Sequence, residues 1–183
     1  LEAGDDAQLC DRVIADDAVV KLRLATSSRA RGGAPWFLAA GFRKPHTPFR
    51  VPAPWVRDFP GVDETDVAAH ATLDGSVAPI AHHDTGNGAD PWTALDGATA
   101  RQWRLFYRAS VAWVDSQIGR VLDELDASGQ ADETLVVLHA DHGWSLGEHG
   151  EWEKFSNFEH GTRVPLVMRA PWLRHPPGAR TGV

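Results

Sequence analysis

From Trp103 to Leu125 the residues Trp103, Phe106, Tyr107, Val111, Val114, Ile118, Val121, Leu122 and Leu125 recur at helical spacing. That period demands a helix with one apolar side, and such a helix must bury that side against another layer. From Ala100 the pattern is continuous, and it stops at Ser128-Gly129, where Gly129 suits a C-terminal cap. A β-rich run, Thr134 to Leu138, follows at once, and Val164 to Met168 is another. Upstream, Trp36-Phe37-Leu38-Ala39-Ala40 lies between Pro35 and Gly41, a continuous apolar run of the kind found in strands buried on both faces. Strand, long helix and strand in this order predict a right-handed βαβ crossover in a mostly parallel sheet, and hence an α/β fold.

The remaining stretches are less constraining. Leu9, Val13, Ile14, Val20 and Leu24 predict an amphipathic helix over 9–24, and the polar, Gly-rich stretch Ser27 to Gly33 reads as a loop. In Phe42-Arg43-Lys44-Pro45-His46-Thr47-Pro48-Phe49 the prolines prevent a helix and are expected to keep Lys44 and Thr47 extended. Residues 52–98 are rich in Pro, Gly, Asp and Ala without a sustained period, which reads as a long functional loop or an insertion. Cys10, the one cysteine, excludes an internal disulfide and a Cys-rich zinc site, and reads as a small, partly buried thiol. A formal charge of -7 over 183 residues argues against nucleic acid as a partner. No apolar run reaches the roughly 18 residues that a membrane span needs, and no signal peptide is visible.

The chemistry concentrates where the strand ending at Leu138 runs into Asp141-His142-Gly143. In an open α/β sheet, the carboxyl edge of the strands is where ligands bind. A carboxylate and an imidazole there are compatible with a calcium, magnesium, manganese or zinc ion, and also with plain turn or capping roles. Both can reach one ion only if the chain turns, which Gly143 permits. Lys154 is either an anion-binding ammonium or a solvated lysine. His46, just past the first apolar run, is either a proton donor to a leaving oxygen or an uninvolved loop residue. Trp144 and Trp152 could equally line a sugar or aryl pocket or pack in the core.

The order of these motifs resembles the sulfatases. Gly41-Phe42-Arg43-Lys44-Pro45-His46-Thr47-Pro48-Phe49 carries the likeness, as does the unbroken stretch from Asp141-His142-Gly143-Trp144 through Gly147-Glu148-His149-Gly150-Glu151-Trp152-Glu153-Lys154. Ser156-Asn157-Phe158-Glu159 and Arg163-Val164-Pro165-Leu166 extend it. The likeness is strong over 36–50 and 134–168 and poor over 52–98. It implies an alkaline phosphatase-like three-layer sandwich, a mostly parallel mixed sheet between helices. It also implies a calcium ion held in part by Asp141 and His142, a sulfate held by Lys154 and His46, and protonation of the leaving alcohol by His46. Trp144 would contact the substrate, a sulfated sugar or another sulfated small molecule, with a uronic acid of a glycosaminoglycan and choline sulfate both open. Phe155 stands where similar sulfatases carry tyrosine, which removes a hydroxyl from the pocket. The resemblance further implies a lysosomal, periplasmic or secreted protein.

In the sulfatases the nucleophile is a formylglycine made from cysteine in a Cys-x-Pro-Ser-Arg motif, but Cys10 is followed by Asp-Arg-Val-Ile. Asp5-Asp6 and Asp16-Asp17 do not follow an apolar strand, as the family's amino-terminal calcium-binding pair does. Residues 1–183 are therefore expected to be an internal and carboxyl-side part of a sulfatase catalytic domain, with the formylglycine in a preceding segment and no turnover by this stretch alone. Two other readings stay open. One is a phosphatase or phosphodiesterase of the same superfamily, and the other is a metal- or glycan-binding remnant without activity.

Overall fold

A computed structural model of the chain describes residues 9–59, 68, 70–72, 76, 81 and 95–173. Two long helices dominate it, α1 (Cys10–Ala30) and α3 (Gly97–Ala127), and they pack against each other. Helix α3 begins where the Asp96 side chain accepts hydrogen bonds from the backbone N–H groups of Ala98 and Thr99, both at 3.0 Å. It ends at Ser128, and the next residue, Gly129, takes the left-handed conformation (φ 71°) expected of it.

The packed side of α1 differs from the expected one. Val13, Val20 and Leu24 are 53%, 53% and 68% exposed, whereas Asp11, Ala15, Ala18, Leu22 and Thr26 form the buried stripe. On α1 most of the buried positions are small, and α3 buries Ala109 and Ser110 beside the larger Trp113, Val114 and Leu125. The α1 helix also runs through Ser27 to Ala30, which the sequence placed in a loop. Arg23 to Glu124 at 2.7 Å and Arg120 to Asp16 tie the rims of the pair.

Leu22, Leu125 and Ala131 form a core cluster onto which Trp36, Leu38, Val121 and Val136 pack. Gln130 locks this end: its amide accepts from Trp36 Nε1 at 3.1 Å and donates to the Thr26 carbonyl at 2.8 Å. Trp36 and Leu38 thus point inward, while Phe37 between them is 91% exposed. The run is buried on one face, not two, and it carries no ladder among the described residues.

Strand β1 (Val136–His139) brings Val136 against the helix layer. It pairs antiparallel with β4 (Leu166–Arg169), Val136 opposite Arg169 and His139 opposite Leu166. A second short ladder, β2 (Ser145–Leu146) with β3 (Trp152–Glu153), is antiparallel too. The expected parallel crossover leads from the Trp36–Ala40 run through α3 to the strand seen as β1; with no ladder on 36–40 among the described residues, the partner of β1 is β4. The connection between β1 and β4 holds the short ladder β2–β3 and the single-turn helix α4 (Glu159–Thr162) but no helix long enough to carry the chain back across a sheet, and β4 returns beside β1. Among the described residues of the irregular stretch 52–98 is the helix α2 (Ala53–Arg57), started by Pro54 in its first turn and packed on α3. No helix among the described residues is long and apolar enough to cross a membrane.

Candidate active site

The chain leaves β1 through Ala140 and bends at Asp141 and His142. Gly143 does not supply a left-handed turn there. Its N–H donates to the Gly161 carbonyl at 2.9 Å, and a Cβ at this position would lie 2.1 Å from the His160 carbonyl oxygen and 2.6 Å from that of Arg163. Close approach of two backbones is why glycine is needed. The bend leaves the Asp141 side chain 86% exposed, with Oδ1 accepting from the His142 N–H at 3.0 Å. The His142 ring is turned so that Nδ1 lies 2.8 Å from the Gly143 carbonyl, which makes Nδ1 the donor and leaves the Nε2 lone pair free to accept. Lys154 Nζ donates to that lone pair at 2.7 Å, and Asp141 Oδ2 is 3.6 Å from the same nitrogen. The three residues singled out in the sequence on this segment therefore meet.

His46 arrives from a different part of the chain. Arg43 to Pro48 is a compact turn rather than an extended strand, with the His46 N–H donating to the Arg43 carbonyl at 3.0 Å and cis bonds at Lys44–Pro45 and Thr47–Pro48. Lys44, only 9% exposed, folds back inside the turn and donates to the carbonyls of His46 at 2.7 Å and Pro48 at 2.6 Å. Lys44 thus lies in a turn and Thr47 in a bend. Burial holds the Lys44 ammonium below the ordinary lysine range, and the charge of Asp11 works in the opposite direction. His46 Nδ1 lies 2.6 Å from the Thr47 carbonyl, so Nε2 is the nitrogen open to a ligand.

Trp144 joins the two halves. Its ring centroid lies 6.0 Å from His46, 6.3 Å from His142, 5.9 Å from Tyr107 and 6.5 Å from Phe49. A second link is Thr47 Oγ1 to Glu153 Oε1 at 3.3 Å. Trp152 stacks on neither histidine: it is buried against Trp103 at 5.6 Å, with the Arg104 guanidinium 5.5 Å over its ring. Tyr107 stands beside the site, and burial together with the Glu148 carboxylate pushes its phenol up. Phe155 is half exposed, its ring centre 5.7 Å from Lys154 Nζ.

Three other sequence candidates, Asp16, Asp17 and Cys10, do not join this cluster. Asp16 is bound by Arg120 and Arg12, which hold its carboxyl below the usual range, and Asp17 by Lys21 at 2.6 Å; both are rim residues of α1. Cys10 is exposed rather than partly buried, because the buried stripe of α1 begins one residue later, at Asp11. Asp5-Asp6 lies outside the described residues. No group of three or more His, Cys, Asp or Glu side chains able to hold an ion exists among the described residues. Asp141 and His142 are thus a two-donor pair: an open carboxylate and an imidazole lone pair, suited in kind to a divalent cation but only part of a coordination shell.

Asp11 is the residue next to the His46 turn that sequence reasoning passed over. Its carboxylate is wholly buried and accepts from the backbone N–H groups of Arg43 at 2.5 Å and Lys44 at 3.2 Å. A signal existed: Asp11 occupies the same helical stripe as Ala15, Ala18 and Leu22.

Helices packed on a sheet whose strand end carries Asp-His, with a Lys-Pro-His turn beside it, place the molecule in the alkaline phosphatase-like α/β class. The sulfatase family model matches residues 7–180, and the chain belongs to that family. It is 34% identical over 177 residues to iduronate 2-sulfatase of Mus musculus, covering 91% of this chain and 31% of that protein. Choline-sulfatase of Rhizobium meliloti is 27% identical over 179 residues, covering 91% of this chain and 34% of the relative. Among solved structures, the phosphonate monoester hydrolase of Agrobacterium radiobacter superposes with a TM-score of 0.70 at 26% identity, over 92% of this chain and 34% of that one. The chain thus spans about a third of the length of these proteins.

Proposed function

We propose that this chain is part of the catalytic domain of a sulfuric ester hydrolase that cleaves sulfate from a sulfated sugar. The observation that carries the reading is the meeting of His46, His142 and Trp144 from separate chain segments, with Lys154 bonded to His142. In this reading Asp141 and His142 are two of the ligands of a calcium ion, which when bound neutralises charge on the sulfate oxygens. His142 Nε2 has one lone pair, taken by Lys154 at 2.7 Å, so it would hold a cation only with Lys154 turned aside. Its ammonium is then available to a sulfate oxygen. His46 donates Nδ1–H to the Thr47 carbonyl, so the proton it delivers to the leaving alcohol is the one on Nε2. Trp144 offers the sugar an apolar face, flanked by Tyr107. Cys10, exposed at the start of α1 and followed by Asp11-Arg12, does not fit the formylglycine implied by the family resemblance, and no step is assigned to it.

A second reading, hydrolysis of phosphonate or phosphate monoesters, is favoured by the likeness to phosphonate monoester hydrolase. The two separate in one assay. The protein carrying the complete sulfatase domain is given 4-nitrophenyl sulfate, a 2-O-sulfated uronic acid, choline sulfate and phenyl phenylphosphonate, with and without calcium. Calcium-stimulated release of sulfate is expected, strongest with the sugar. Preferential cleavage of the phosphonate would replace the sulfatase reading, and preference for choline sulfate would correct the substrate class.

A further inference from the structure

The first turn of α1 and the His46 turn are 32 residues apart in sequence and joined by one side chain. Asp11 has no exposed surface, and its two carboxylate oxygens take the N–H groups of Arg43 and Lys44. A buried carboxylate is costly unless its oxygens are bonded, and a buried N–H is costly without an acceptor, so each side of this contact depends on the other. Within the turn, the His46 N–H reaches back to the Arg43 carbonyl at 3.0 Å. Lys44 grips the carbonyls of His46 and Pro48, its buried ammonium supported by the Asp11 charge. The residues that Asp11 holds are thus the residues that hold His46, while the far side of the turn leans on Trp144 and on Glu153 through Thr47. Position 11 on a helix buried by packing makes a rigid anchor for a loop that has no ladder of its own.

We propose that Asp11 is a positioning residue for the reaction: it acts through the Arg43–Pro48 turn to keep His46 aimed at the leaving oxygen. The assignment rests on the sulfatase reading and adds a residue that does not touch substrate. It makes a prediction that a purely structural role does not. An unactivated alcohol needs a proton as it leaves, whereas 4-nitrophenolate leaves without one, so damage transmitted through His46 falls selectively on the alkyl ester. Loss of folded protein lowers both rates by one factor.

The test compares kcat on an alkyl sulfate and on 4-nitrophenyl sulfate for the complete sulfatase domain, wild type and Asp11→Asn. Asparagine keeps the shape but offers one acceptor oxygen instead of two and no charge. We expect kcat on the alkyl ester to fall about 30-fold or more and kcat on the aryl ester less than about threefold, within the range general acid catalysis spans. Asp11→Glu, which keeps charge and both oxygens but is one methylene longer, should show the same asymmetry and serves if Asp11→Asn does not fold. Equal losses on the two esters, or unchanged turnover of the alkyl sulfate, would overturn the assignment. Wild-type protein that cleaves neither ester would overturn the sulfatase reading and this role with it.

Discussion

The α1–α3 pair and the cluster at the end of β1 are built on opposite terms. The helix pair is held mainly by burial of small and apolar side chains, with Ala15 and Ala109 fully buried and Leu22 nearly so, and its ion pairs lie on the rim. The site cluster has almost no ladder and few fully buried apolar groups. It is held by single backbone contacts, as at Gly143 and Gly161, by carbonyls gripping Lys44, and by the buried Asp11 carboxylate. Apolar packing tolerates small shifts because it has no direction, whereas one hydrogen bond sets one geometry. Stability should therefore reside mainly in the first region and activity in the second.

Mutations can break that division, and the largest effect is expected at Lys154. In the complete sulfatase domain, Lys154→Ala should lower kcat/KM on a sulfate ester by about 100- to 1,000-fold, as loss of one donor to developing charge does, with the melting temperature nearly unchanged. Wild-type turnover in this variant would remove Lys154 from the site. Gly143→Ala comes next. The added methyl would collide with two backbone carbonyls, displacing Asp141 and His142, and a shift of about 1 Å costs on the order of 100-fold in rate. Far-UV circular dichroism should still report intact α1 and α3; a collapse of helical signal would show that the two regions are not separable.

Ala15→Leu should do the converse. Overpacking the α1–α3 contact costs about 1–3 kcal/mol in urea unfolding, with kcat per folded molecule unchanged. A kcat loss as large as that of Gly143→Ala would mean that the helix pair transmits strain to the site. The smallest effect is expected at Asp16. Arg120 holds the folded-state carboxyl below its ordinary value, so its contribution is complete above the unfolded-state pKa and disappears as pH falls through the folded one. Asp16→Asn should thus cost less than about 1 kcal/mol near neutrality and nothing in strong acid, and added salt should shrink the difference.

Much of the site was legible because its residues lie close together in the chain. Asp141, His142, Trp144 and Lys154 fall within one short stretch behind an apolar run, and while an Asp-His pair alone also suits a turn or a cap, the contiguous motif carries the family likeness. His46 was legible as a residue beyond a second apolar run. Asp11 was not, since a carboxylate in the first turn of a helix ordinarily reads as solvated and favourable to the helix dipole. What changes its meaning is a turn 32 residues away with two N–H groups to satisfy. Gly143 was read for its freedom to turn, when its lack of a side chain was the property in use.

By itself, the sequence determined the long helix from Ala100 on, its end at Ser128-Gly129, the apolar runs behind β1 and β4, and the family. These follow from local period, capping chemistry and contiguous motif, all of which act within a few residues. Only the tertiary structure decided which stripe of α1 is buried, that β4 runs antiparallel to β1, and that Trp144 rather than Trp152 faces both histidines. Each of these depends on what a second segment brings to the contact. Val13, Val20 and Leu24 are the more hydrophobic face of α1, yet α3 packs on Ala15 and Ala18. Shape at a helix interface is a property of two surfaces, and hydrophobicity read along one chain describes only one of them.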